Sequence, residues 1–175
     1  RSSAGTAVTD LAKAALRSYG VATASKRRPP ELIVIGAKRG GTTSLWKYLD
    51  SHPGILATFP RAEQIKGTYF FDEEWARGER WYRSHFPTDH VRAKAAARLG
   101  YDPIAFEASP YYLFHPQAPA RAHQVAPGAL IVALLRDPVE RAFSHYKERS
   151  NHTETLTFAE ALAAGTLPEL ADADE

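Results

Sequence analysis

The sequence has no cysteine and no methionine. Without cysteine there is no disulfide framework, no thiolate metal site and no thiol redox chemistry. That suits a reducing compartment and leads to the expectation of a cytoplasmic location. The missing Met, with Arg1 in first place, leads to the expectation of a natural start further upstream. No apolar run approaches the roughly 20 residues that cross a bilayer, so no membrane anchor is expected. Lysine and arginine are also missing after Ser150, where Glu154, Glu160, Glu169, Asp172, Asp174 and Glu175 stand alone. Those six leave fourteen of the 20 acidic residues to face all 22 basic ones in the first 150 positions. A basic body suits an anionic ligand, although by charge alone a well-solvated surface explains it better.

What is present fits one domain of ordinary composition, with 175 residues, 44% of them hydrophobic. Residues 1–30 hold one acid, Asp10, against six basic side chains. Val8, Leu11, Ala15 and Tyr19 fall near helical spacing and predict a short amphipathic helix over 7–19 that docks on the body. The stretch "ATASKRRPP" (Ala22 to Pro30) reads as a linker, since paired prolines stop regular structure. A transit peptide shares this Arg- and Ser-rich bias and is the secondary reading. No internal repeat or low-complexity tract interrupts residues 31–175.

That body opens on "ELIVIG" (Glu31 to Gly36), a short β-branched run suited to a strand buried on both faces of a parallel sheet. "PIAFEAS" (Pro103 to Ser109) and "ALIVALL" (Ala129 to Leu135) are the next strand candidates. Leu45, Tyr48 and Leu49 recur at helical spacing until "SHPG" (Ser51 to Gly54) ends the helix. After the third run, Asp137 is placed to cap a helix, Pro138 sits at its first turn and Glu140 completes a capping box. Strands alternating with helices predict an α/β domain: a P-loop-like, three-layer α/β/α fold with a mainly parallel central sheet. In such sheets ligands bind beyond the carboxyl ends of the strands.

One such end carries "GAKRGGTTSL" (Gly36 to Leu45). Glycines let the backbone turn tightly, a helix start offers free N–H groups, and Lys38 and Arg39 add positive charge. Phosphate is the natural guest. Gly36 and Gly41 have the P-loop spacing, but Thr42 stands where a nucleoside-triphosphate loop has its lysine. The run "ALIVALL" ends in Arg136 with no acid to hold Mg²⁺. The pattern therefore suggests a phosphate donor handled without a metal.

Together the motifs resemble those of sulfotransferases that use 3′-phosphoadenosine 5′-phosphosulfate (PAPS), and of the glycan or heparan-sulfate type in particular. "GAKRGGTTSL" is similar to their 5′-phosphosulfate loop, and "LLRDPVERAFSHY" (Leu134 to Tyr146) to their 3′-phosphate motif. "FEASPYYL" (Phe106 to Leu113) and "YFFD" (Tyr69 to Asp72) sit where glycan-type members have related segments, and the likeness runs from about Leu32 to His152.

The resemblance implies that Lys38, Arg39, Gly40, Gly41, Thr42, Thr43 and Ser44 hold the 5′-phosphate, and that Arg136 and Ser144 read the 3′-phosphate. Arg39 occupies the family's usual lysine position and is assigned to the leaving group, with Lys38 as stand-in. The family's base is expected at Glu63, although an alignment through "IK" puts Gln64 there; Glu107 is the second candidate. His85, His115 and His145 are further bases in principle, and no metal-ligand spacing links them. The implied acceptor is a carbohydrate hydroxyl or amine, with neither nucleic acid nor membrane as partner. Family members continue past the second motif, so a chain incomplete at its C-terminus is expected.

Two rivals stay open on the residues alone. One is a nucleotide kinase of related architecture. The other is a non-catalytic nucleotide- or nucleic-acid-binding module, with the aromatics and cations of residues 69–86 as a stacking surface. Phe70, Trp75 and Trp81 are more readily read as core or acceptor-groove residues, and Asp72, Glu73 and Glu74 repel a nucleic-acid backbone.

Overall fold

A computed structural model describes residues 3–151 and 155–163, with side chains from Leu11 onward. The acidic segment 167–175 and Glu154 lie outside the described residues. Four strands, β1 (Leu32–Gly36), β2 (Ile55–Leu56), β3 (Ile104–Ala108) and β4 (Leu130–Ala133), form one sheet in the order β2-β3-β1-β4. Every pairing is parallel. Parallel neighbours need crossovers, and helices supply them. α2 (Thr42–Ser51) leads from β1 to β2, α3 (Glu79–Arg83) and α4 (Asp89–Leu99) lie between β2 and β3, and α5 (Ala118–Val125) joins β3 to β4. α6 (Pro138–Ser150) and α7 (Phe158–Ala163) follow, and α1 (Ser3–Ala22) precedes the sheet. This is the expected α/β architecture, and the two predicted motifs fall at the carboxyl ends of β1 and β4, which are neighbours in the sheet.

The β-branched run of β1 is buried at Ile33 and Val34, as its composition requires. Its entrance is tied down by Glu31, whose carboxylate accepts from Arg92 Nη1 of α4 at 2.7 Å and from the Ala105 N–H of β3 at 2.8 Å. On one side of the sheet Phe70, Phe71, Tyr82, Phe86 and Tyr112 pack with Ile33 and Ala105. The Phe70 and Tyr82 rings stack with centroids 4.6 Å apart. Burying each such aromatic contributes on the order of 2–3 kcal/mol. Trp75 and Trp81 lean on the same cluster. Phe70, Trp75 and Trp81 are thus committed to packing and do not form a base-stacking surface.

The apolar run of β4 forms a strand as expected, at the edge of the described sheet with Leu130 and Ile131 more than half exposed. An apolar run cannot report which place in the sheet it will take. Two expectations change. Of the stripe Val8, Leu11, Ala15 and Tyr19, the Val8 side chain lies outside the described residues, Leu11 and Ala15 are exposed, and only Tyr19 touches the body, its ring 6.0 Å from that of Phe59. Beside it Gly20 packs so closely that an added Cβ would meet the Ser84 carbonyl at 3.0 Å, and Arg17 donates to the Phe59 carbonyl at 3.0 Å. The stretch read as a linker is also anchored. Arg27 is buried, donates from Nε to Thr23 Oγ1 at 2.9 Å and from Nη1 to the Phe86 carbonyl, and covers the Phe59 ring at 4.4 Å.

Candidate functional site

After β1 the chain cannot continue straight, because Ala37 N–H reaches back to the Leu134 carbonyl at 2.9 Å and Gly40 N–H to the Ala37 carbonyl at 2.8 Å. This turn leaves no room for a side chain at residue 40. A Cβ there would lie 2.6 Å from the Leu134 carbonyl oxygen. Gly41 then caps α2 with φ at 104°, a left-handed conformation that glycine adopts without strain. Among the described residues, the N–H groups of Gly41, Thr42 and Thr43 have no acceptor. They are the free donors of a helix start, where the backbone dipole also favours an anion. Gly40 and Ser44, expected to donate as well, have N–H groups already bonded within the turn, Ser44 to the Gly41 carbonyl at 3.0 Å. The free backbone donors therefore narrow to three consecutive groups.

The second junction follows β4. Asp137 accepts from the N–H groups of Val139 and Glu140, both at 3.0 Å, and so starts α6 where the sequence placed its cap. The reciprocal half of the capping box does not form. Glu140 turns to the Arg136 guanidinium instead, at 3.0 Å. Arg39 bridges the two junctions by donating from Nε to Ser144 Oγ at 3.0 Å. An open cavity of about 430 Å³ results, lined by both loops with Arg136, Ser144 and Glu148 on one wall and Lys66, Tyr69 and Tyr111 on the other. Among the described residues its charged lining is four cations and one carboxylate, a balance that suits an anion.

The two motifs, far apart in sequence, thus wall one cavity. A family model described as "Sulfotransferase family" matches residues 30–169. The chain belongs to the sulfotransferase family. It is 33% identical over 143 residues to a human bifunctional heparan sulfate N-deacetylase/N-sulfotransferase 3, covering 79% of this chain and 16% of that protein. It is 32% identical over 151 residues to a mouse heparan sulfate glucosamine 3-O-sulfotransferase 6, covering 85% of this chain and 40% of that protein. The chain therefore spans less than half the length of these relatives.

Within this sulfotransferase domain the structure gathers Lys38, Arg39, Gly41, Thr42, Thr43, Ser44, Arg136 and Ser144 around the cavity. It does not bring the two expected bases there. Glu63 ends a 3-10 turn on the α1 side, where its carboxylate meets Arg17 at 3.5 Å. Glu107 is fully buried beneath the site. There it accepts from the Thr68 N–H and hydroxyl at 2.8 and 2.7 Å, from Tyr82 at 2.8 Å and from Ser109 at 3.1 Å. Every approach to that carboxylate is taken by a structural donor. Burial and the adjacent Glu107 push the Tyr82 and Tyr112 hydroxyls well above the ordinary tyrosine range, so both stay protonated donors. Gln64 lies outside the cavity lining as well.

Lys66 was missed. Its ammonium lies 3.0 Å from both the Thr42 and Thr43 hydroxyls, at the free N-terminus of α2. Among the described residues it meets no carboxylate, and burial lowers its pKa from the ordinary lysine value. The sequence signal was available: the P-loop lysine missing at residue 42 had to come from elsewhere or not at all. Which of the chain's cations would fill that place is a tertiary matter. Lys38 sits over the Tyr111 ring at 4.7 Å, and its ammonium contacts the Tyr111 hydroxyl.

Proposed function

We propose that this chain binds PAPS and is the donor-binding part of an enzyme that transfers the sulfuryl group to a carbohydrate hydroxyl or amine. The observation that carries the reading is the Arg39–Ser144 hydrogen bond, which joins the 5′-phosphosulfate loop to the 3′-phosphate motif at one cavity. The residues present fit such a donor. The Gly41, Thr42 and Thr43 N–H groups and the Lys66 ammonium suit the 5′-phosphate, Arg39 and Lys38 the leaving oxygen, and Arg136 with Ser144 the 3′-phosphate. PAPS supplies an activated sulfuryl group, and the chain's part is to orient it and hold the charge that develops on the departing phosphate. The acceptor class comes from the relatives, named as sulfotransferases of heparan sulfate and of its glucosamine.

Donor binding here rests on side-chain cations and proceeds without a divalent metal. A cytoplasmic setting, suggested by the cysteine-free sequence, belongs to the same proposal. The kinase rival needs a loop lysine after Gly41 and an acid for Mg²⁺; Lys66 now supplies a cation near that point, but the comparisons return sulfotransferases. Calorimetry with 3′-phosphoadenosine 5′-phosphate (PAP), AMP and ATP, each with and without chelator, decides between them. PAP should bind at least tenfold more tightly than AMP and ignore the chelator, because Arg136 and Ser144 engage only a 3′-phosphate. Equal PAP and AMP affinities, or ATP binding that requires Mg²⁺, overturn the proposal.

A further inference from the structure

Transfer to a hydroxyl or amine needs a group to take the acceptor's proton, and neither Glu63 nor Glu107 reaches the cavity. Among the described residues one carboxylate does. Glu148, on the last turn of α6 and one helical turn beyond Ser144, is the acidic residue of the cavity lining. Its Oε2 lies 3.6 Å from Lys38 Nζ and its Oε1 3.9 Å from Arg39 Nη1. These are long ion-pair distances, and among the described residues Oε2, itself shielded, takes no hydrogen bond. The side chain as a whole keeps 37% of its surface exposed, so the carboxylate is loosely held. The other ionisable groups around the cavity are Lys38, Arg39, Lys66, Tyr69, Tyr111 and Arg136. None of them is an anion.

We infer that Glu148 has two successive roles: it is the internal counter-ion of Lys38 and Arg39, and, once the donor takes those cations, the base that deprotonates the acceptor. The inference rests on the proposed donor site. A phosphosulfate drawn to Lys38 and Arg39 competes with Glu148 for the same charges. Once the donor's charges pair with Lys38 and Arg39, the Glu148 carboxylate is released from both ion pairs and left facing the acceptor side of the cavity as its proton acceptor. In the transfer step the acceptor O–H or N–H gives its proton to the Glu148 carboxylate, and the acceptor lone pair forms the new bond to sulfur. The bond between sulfur and the bridging oxygen breaks, and its electron pair leaves on the 5′-phosphate of PAP. Arg39, Lys38 and Lys66 hold that charge. The proton on Glu148 then passes to solvent through its exposed face.

The two roles predict opposite effects of one substitution. Glu148→Gln keeps size and removes both the charge and the basic site. PAP should then bind about two- to tenfold more tightly, because two partly exposed ion pairs no longer compete. Turnover of PAPS with glucosamine oligosaccharides bearing free amines and hydroxyls should fall by about 100-fold or more in the whole protein. Glu148→Asp, which retains the carboxylate, should recover part of the turnover. Weaker PAP binding by Glu148→Gln, or turnover within about tenfold of the parent, overturns the inference while leaving the donor site standing. Failure of the parent itself to bind PAP removes both. PAP affinity is measurable on this domain without turnover, so the counter-ion role is decided even with an acceptor that reacts poorly.

Discussion

The Lys66 ammonium stands 3.0 Å from the Thr42 hydroxyl, delivering to the N-terminus of α2 a cation that the loop itself does not encode. Half-buried and without a carboxylate partner among the described residues, it is a charge that a bound anion would neutralise. Lys66→Met should weaken PAP binding by about 10- to 100-fold, the scale of one charge-assisted hydrogen bond. The melting temperature should hold or rise, because an unpaired cation leaves the interior. Calorimetry and a thermal melt on the same preparation check both. Intact PAP affinity with a melting temperature several degrees lower would make Lys66 a packing residue.

Glu107 holds the segment after β2 against β3 through Thr68, Tyr82, Ser109 and Tyr112. Removing the acceptor strands several buried donors, each costing about 1–3 kcal/mol. Glu107→Ala should therefore lose about 3 kcal/mol or more in urea unfolding. PAP affinity per folded molecule should stay within about threefold, since the carboxylate does not line the cavity. A variant of unchanged stability and greatly reduced turnover would return Glu107 to catalysis.

His85 gives the fold a pH dependence. Burial, reinforced by the nearby Arg17 charge, lowers its pKa from 6.5 to about 4, and its Nδ1 lies 2.9 Å from the Trp81 carbonyl. The folded protein keeps this imidazole neutral while the unfolded chain takes up a proton below about pH 6.5. The unfolded state then binds more protons, so stability falls as pH drops through that window, by up to about 3 kcal/mol at pH 4. Urea midpoints at pH 7.5 and 4.5 measure the slope, and comparison with His85→Gln removes the share of titrating carboxylates. Identical slopes for parent and variant would show that His85 contributes nothing.

What could be read from the sequence is what depends on near neighbours in the chain. The turn from Gly36 to Gly41, the Asp137 cap with Pro138 behind it and the apolar run of β1 are set by φ, by capping and by local pattern. Each appears where its residues placed it. Even there the reading stops one hydrogen bond short. Glu140 completes a capping box by spacing, yet Arg136 offers it a charge and wins.

Position in the sheet, docking and the chemistry of single acids were decided elsewhere. β1 and β4 are both apolar runs, but β1 is central and β4 an edge, a difference made by pairing partners from distant segments. A helical stripe marked Leu11 and Tyr19 as a docking face, whereas Leu11 is exposed and the contacts beside Tyr19 are made by Gly20, which a hydropathy pattern does not see, and by Arg17. Glu63, Glu107 and Glu148 are equivalent as letters. One pairs with Arg17, one is enclosed by hydroxyls, and one faces the cavity. The sequence by itself determined the family, the two strand-to-helix turns and the parallel α/β layout, because these rest on short-range geometry. Only the tertiary structure decided which carboxylate and which extra lysine join the site, because charge and burial act through space between residues the chain does not keep together.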